Sequence, residues 1–268
     1  MSDLYLFKNT LRDLLRPGKL TAAGLLIGLV ALIAFVAKSK AKSGDFDPVQ
    51  TYDTITSTLI FGLILVLPAV IFTTGLMQQE MEQKTIPYLL TRPIPRWRML
   101  LAKYLAAVTV TTLTVWIADI LLALILFGPA QMLHSRLGQD LKMLLIGALL
   151  YSSLCLFLAV AFGRPLLVGL LYTFGLETWL PFLPGDWQRL SLMAYLHTLA
   201  PHLDTVAPES DGGGGQGGIG SLFTQVLAPE AIPMWLAWTV VILVILAGLG
   251  AALVVVSVKE YTPKEESN

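Results

Sequence analysis

The sequence predicts an all-α, polytopic membrane protein with about six transmembrane helices, and three observations carry that prediction. Mean hydropathy is +0.71, and 55% of residues are hydrophobic against 13% charged, where a soluble domain carries about 25% charged residues. The apolar residues gather into runs long enough to cross a hydrocarbon core, which takes about 20 residues in helical form. Short polar islands carrying Lys and Arg separate the runs, as they do where a chain leaves a bilayer. The 18 basic and 18 acidic residues cancel, so nothing in the charge points to nucleic acid. Cys155 is the single cysteine, which excludes an internal disulfide.

Taken in order, residues 1–19 come first. Leu4, Phe7, Leu11 and Leu14 recur at helical spacing, Lys8, Arg12 and Asp13 lie off that stripe, and Pro17-Gly18 ends the segment. This reads as an interfacial helix lying on the inner leaflet. An ordinary surface helix is the alternative, but there is no soluble domain for it to cover. Residues 20–37 form the first span rather than a signal peptide, because no small-residue cleavage site follows and an amphipathic segment precedes them.

Residues 55–77 are the second span, with Pro68 flanked by Gly62 and Gly75, and a static kink is expected there. Residues 99–127 are the third. At about 1.5 Å per residue it would reach about 40 Å against a core of about 30 Å, so it tilts or projects into water at its start. Residues 143–162 and 165–180 follow, joined by Gly163-Arg164-Pro165. Gly suits a left-handed residue after a helix and Pro the first turn of the next, which predicts a close antiparallel pair.

Residues 183–232 are the largest loop, expected outside. Within it, 189–203 place Leu190, Met193, Leu196, His197 and Ala200 compatibly with one helical face. Residues 211–220 are a Gly-rich linker, not a phosphate loop, since no Gly-Lys-Ser/Thr follows. Residues 233–258 are the sixth span, and 1–268 read as a single transmembrane domain. No internal repeat suggests an inverted-repeat transporter.

The bases set the orientation. With the N-terminus inside, Lys8, Arg12, Arg16, Lys19, Lys84, Arg92, Arg96, Arg98, Lys103, Arg164, Lys259 and Lys264 are cytoplasmic, and Lys38, Lys40, Lys42, Arg136, Lys142 and Arg189 are outside, twelve against six. Both termini are therefore expected in the cytoplasm. The cluster Lys38, Lys40, Lys42 opposes the rule; Asp45, Asp47 and Asp53 offset its charge but contribute little to topology. Trp97, Trp179, Trp187 and Trp235 fall near expected interfaces and read as anchors. His134, His197 and His202 lack metal-site spacing, so no metal is expected. Neither a His-Glu-x-x-His helix nor a His paired with Ser152-Ser153 appears within a span, so no catalytic residue is expected.

The island at 78–98 is the most informative stretch. Residues 84–90 are expected as a short helix presenting Ile86, Leu89 and Leu90, with Glu80 and Glu82 near its start, where carboxylates complement exposed N–H groups. Pro93 and Pro95 end it, and Arg96, Arg98 and Lys103 anchor the next span at the headgroups. A plain positive-inside loop accounts for the bases. It accounts less well for the acid pair, the apolar triplet and the double proline.

In these residues the chain resembles the type-2 permeases of ABC transporters, whose pattern is close to E-x-E-x-G-T-x-x-x-L-L-x-R-P-x-x-R with a later Lys. Glu80, Glu82, Thr85, Leu89, Leu90, Arg92, Pro93, Arg96 and Lys103 match, and Lys84 departs where the family usually has Gly. A second likeness runs from Gly169-Leu-Leu-Tyr172 through Glu177 to Leu183-Pro-Gly185 and Leu190-Ser191. It looks like the family's fifth span, with its acidic residue and Leu-Pro-Gly exit.

The resemblance implies that the island is a coupling helix seated in a groove of a cytoplasmic ABC ATPase. It also implies a second permease copy or paralogue, and re-entrant outer helices after the fifth span. ATP and Mg would then belong to the partner and no cofactor to this chain, which shows no Gly-x-x-x-x-Gly-Lys-Ser/Thr. The expected function is the permease subunit of an exporter in a prokaryotic plasma membrane. Two rivals stand beside it: a stand-alone secondary transporter or channel, and a non-transporting membrane anchor for a soluble partner. Asp119 and Glu177 fall inside spans, where an ionised acid costs about 2.5–3.5 kcal/mol on insertion scales. Each reads either as part of the substrate path or dimer seam, or as an acid near the outer surface hydrogen-bonded to a neighbour.

Overall fold

The computed structural model describes residues 3–14, 17–40, 48–82, 96–129, 137–177, 191–200 and 233–258. Among these the protein is helical throughout, with no strand. The helices are α1 (Asp3–Leu14), α2 (Pro17–Lys40), α3 (Pro48–Ile55), α4 (Val66–Glu82), α5 (Arg96–Phe127), α6 (Leu137–Ala161), α7 (Pro165–Leu171), α8 (Leu192–Leu199) and α9 (Met234–Val258). Two π-helical stretches, π1 (Thr56–Ile64) and π2 (Tyr172–Glu177), complete them.

Among the described residues five helical stretches are long and apolar enough to cross a membrane: Pro17–Ser39, Pro48–Leu76, Trp97–Phe127, Leu137–Ala161 and Met234–Val256. The sixth expected span is represented by the shorter Pro165–Gly175. Burial sorts them. The windows in Pro48–Leu76, Trp97–Phe127 and Leu137–Ala161 are 61%, 56% and 61% buried, whereas Pro17–Ser39 and Met234–Val256 are 22% and 11% buried. Three helices make the centre and two flank it. The flanks expose Leu25, Phe35, Leu243 and Leu246, an apolar surface that suits lipid and would be an aggregation liability in water.

Helices run past the apolar runs that foretell them. α5 has 32 residues, about 48 Å at the α-helical rise. Its start carries exposed Trp97 with the Arg98 guanidinium 5.2 Å from the ring centroid, an amphipathic anchor of the expected kind. The second span begins at Pro48, well before residue 55, and continues through π1, where the Leu65 N–H donates to the Ile60 carbonyl at 2.8 Å. Pro68 lies in the first turn of α4, where a missing N–H disrupts least, and the helical irregularity sits upstream in π1.

The turn between α6 and α7 corrects one expectation. Pro165 does occupy the first turn of α7, but Gly163 is not left-handed. Among the described glycines only Gly128 has positive φ, at 75°. Arg164, at φ −126° and ψ 72°, makes the reversal instead, and its carbonyl accepts the Val168 N–H at 3.2 Å. Gly128 closes α5, its N–H bonding to the Leu124 carbonyl at 3.0 Å, as a left-handed glycine after a helix does.

Lys38 also finds a physical account. Its ammonium donates to the carbonyl of Ile125 in the last turn of α5, a carbonyl with no intrahelical partner at a helix end, where positive charge is favoured. A base therefore stands at this end for a local reason that a loop-charge rule does not see.

Packing gives the bundle two ends. At the basal end, Leu14 of α1 joins Ala23 of α2, Phe72 and Leu76 of α4, and Ala106, Ala107 and Val110 of α5 in one apolar cluster. Phe7 and Leu11 pack on it, so the stripe of α1 is turned onto the bundle while Lys8 and Arg12 remain exposed. Leu100 and Tyr104 of α5, Leu156 and Val160 of α6 and Ala252 of α9 form a neighbouring cluster. α1 and the later turns of α9 therefore lie at the end where α5 starts. The remaining large cluster fills the centre and the distal end.

Candidate functional site

Among the described residues, buried polar networks interrupt the apolar core around each of the two acids singled out inside the spans. Glu177 ends π2 and is 7% exposed. The Tyr151 hydroxyl of α6 donates to its Oε1 at 3.1 Å, the Ser191 hydroxyl at 3.0 Å and the Met193 backbone N–H at 2.6 Å. The Tyr172 hydroxyl donates to Oε2 at 3.2 Å. Tyr172 and Glu177 are five residues apart; the wider π turn brings residues at that separation towards one face, where an α-helix would turn them apart. A carboxylate supplied with four donors is tolerated in an apolar interior because its lone pairs are met.

Asp119 of α5, 0% exposed, lies opposite Asp140 of α6, also 0% exposed. Tyr52 of α3 stands between them, with its hydroxyl oxygen 3.0 Å from Asp119 Oδ1 and 2.9 Å from Asp140 Oδ2. A phenol has one hydrogen. The pair of contacts therefore needs either that hydrogen shared between two acceptors or a proton on one carboxyl. The Tyr52 ring packs on Phe127 at 5.3 Å between centroids, and the Trp116 indole N–H donates to the Leu141 carbonyl at 2.9 Å. Asp119 thus faces protein, not lipid, at the distal end rather than the middle of its long helix.

The third feature is at the basal end. α4 reaches Glu82, so Glu80 and Glu82 fall within this helix. The reason is local: Gln78-Gln79-Glu80-Met81-Glu82 are all good helix formers and extend the span beyond its apolar part. Arg96 is the first residue of α5. Thr85, Ile86, Leu89, Leu90, Arg92 and Pro93, with the short helix expected at 84–90, lie outside the described residues, as do His134, His202, Trp179, Trp187 and the Gly-rich 211–220. Lys103 is 5% exposed, buried in the basal third of α5 rather than displayed at a headgroup.

The helical face expected in the first part of the large loop is present as α8. His197 on it packs against Phe61 at 6.0 Å between ring centroids, and burial pushes its imidazole down to about 4. No group of three or more potential metal ligands occurs among the described residues.

Sequence reasoning found Asp119 and Glu177 but not their partners. Tyr52 and Asp140 lie just outside the apolar runs, at separations of 67 and 88 residues from their contacts. Tyr172, five residues from Glu177, and the Leu190-Ser191 pair, 14 residues from Glu177 to Ser191, carried a hint, through the family pattern.

Long apolar helices around a centre tied by buried hydrogen bonds, with apolar flanks left open, define a multi-pass membrane protein. A family model described as ABC-2 family transporter protein matches residues 16–176, and the chain belongs to that family, whose members are transport permeases that associate with an ABC ATPase. Comparison with curated proteins gives no match.

Proposed function

We propose that this chain is the permease subunit of an ABC exporter in a prokaryotic plasma membrane, with both termini cytoplasmic. It pairs with a second permease copy or paralogue, and ATP and Mg are bound and used by the separate ATPase. The observation that carries the proposal is the match of residues 16–176 to the ABC-2 transporter family, a stretch that takes in the charged segment 78–98. A plain loop accounts for the bases of that segment but less well for its acid pair, apolar triplet and double proline, which a docking surface explains. On this reading Glu80, Glu82, Thr85, Ile86, Leu89, Leu90, Arg92, Pro93 and Arg96 engage the ATPase, and its ATP-driven closure rocks the spans.

The test is co-purification of the tagged chain in mild detergent. A stoichiometric ATPase, with ATP hydrolysis uncoupled from transport or the partner lost in Glu82→Ala and Arg92→Ala variants of normal folding, supports the reading. A chain that is stable alone, or variants that transport normally, would sink it. The Tyr52–Asp119–Asp140 cluster favours a second reading, a secondary transporter with a proton relay there. Transport driven by an ion gradient with no ATPase present would establish that reading instead.

A further inference from the structure

Glu177 does more than satisfy its own lone pairs, because the helix it touches lacks a cap of its own. Ser191 stands at the N-cap position of α8 in an extended conformation, yet makes no side-chain bond to its own helix. Its hydroxyl goes to Glu177, and Glu177 accepts the Met193 N–H that a cap residue would normally receive. The first turn of α8 is therefore completed by a side chain from π2. Eight residues are too few for a stable helix in isolation. Its other support is its apolar face, with Leu192, Tyr195, Leu196 and Leu199 set into the core. Apolar burial holds the helix without fixing its register or tilt; the bonds to Glu177 are directional and fix both. Tyr151, fully buried on α6, ties the same carboxylate to the central helices.

We infer that Glu177 is a positioning residue for transport: it docks α8 against α6 and π2 at the distal end of the bundle, and α8 is freed when those bonds break during the cycle. This rests on the permease reading above.

The experiment uses the full chain with its co-purified ATPase, Cys155→Ser to remove the native thiol, and Leu196→Cys as reporter. Leu196 is fully buried, with its Cδ1 3.3 Å from where a Cβ on Gly147 would lie. A water-soluble maleimide therefore labels residue 196 only when α8 lifts. Glu177→Gln in this background is expected to speed labelling about tenfold or more, the scale of losing charge-assisted hydrogen bonds. A non-hydrolysable ATP analogue is expected to change the rate in the Glu177 protein and not in the Glu177→Gln protein, a response that a merely structural residue would not control. Should Glu177→Gln fail to fold, Ser191→Ala removes one of the α8 bonds and keeps the carboxylate, with a smaller rise expected. Unchanged labelling in a folded variant overturns the inference, whatever the ATPase does. Faster labelling in a chain that recruits no ATPase keeps the tie between Glu177 and α8 and overturns the permease reading instead.

Discussion

Replacing Tyr52 by Phe removes one hydroxyl from a place where two carboxyl groups converge at 0% exposure. Leaving buried polar groups without a former partner costs about 1–3 kcal/mol, so Tyr52→Phe is expected to lower the melting temperature in detergent. Asp119→Asn added to Tyr52→Phe should cost less than the sum of the two single changes, since they share an interaction; strict additivity would show that the hydroxyl bridges nothing. His197 gives a pH dependence. Its folded pKa, about 4, lies below its unfolded value of 6.5. Above the unfolded value both states are neutral and nothing changes. Below it the unfolded chain takes up a proton the folded chain refuses, so stability falls as pH drops through 6.5 towards about 4. The loss in melting temperature between about pH 7 and about pH 5 should be larger for the wild type than for His197→Gln. That Asp119 and Glu177 are special was legible in the sequence, because acids are rare in apolar runs. Tyr52, Asp140 and Tyr151 as their partners were not. Tyrosine is unremarkable at the edge of a span, and nothing local says that residues 67 or 88 positions apart will meet.

At the scale of elements, the α6–α9 contact shows how a membrane bundle holds an outlying helix. A Cβ on Gly248 of α9 would lie 3.0 Å from the Ser153 carbonyl oxygen of α6. Small residues let backbones approach in this way, and close packing is what associates helices once lipid surrounds them. The opposing atom is backbone and cannot rotate aside. Gly248→Ala is therefore expected to push α9 outward at a cost of about 1–3 kcal/mol, read as weaker resistance to thermal denaturation; an unchanged melting curve would mean that α9 shifts freely. By contrast, Gly250 has nothing within 4 Å of its would-be Cβ, so Gly250→Ala serves as the control. The spans themselves were legible because the bilayer demands about 20 apolar residues of each. Their ends were not. α3, the first turns of α6 and residues 78–82 of α4 are polar enough to read as loop, yet tertiary packing carries on the first two and helix propensity the third. The π-helices escaped notice for a related reason: they depend on which residues must face which neighbour, as Tyr172 and Glu177 do, and not on hydropathy.

For the whole molecule, the architecture separates a well-buried centre of α3–π1–α4, α5 and α6 from flanks that leave most of their surface open. α9 is the extreme case. Only 11% of its apolar window is buried within the chain; it lies mainly along α6 and α8, and in sequence it follows a segment that includes the Gly-rich 211–220. A helix of that kind is independently stable in a bilayer and finds its neighbours after insertion. Covalent continuity is then dispensable: co-expressed fragments 1–214 and 215–268 should reassemble in the membrane and co-purify through a tag on the shorter piece, and Gly248→Leu on that piece should abolish the capture. If the intact pieces fail to meet, α9 depends on its tether, and its seam with α6 is weaker than its close approach implies. If they meet, the chain works as a two-part kit, and its last helix can be exchanged, labelled or supplied separately without touching the centre.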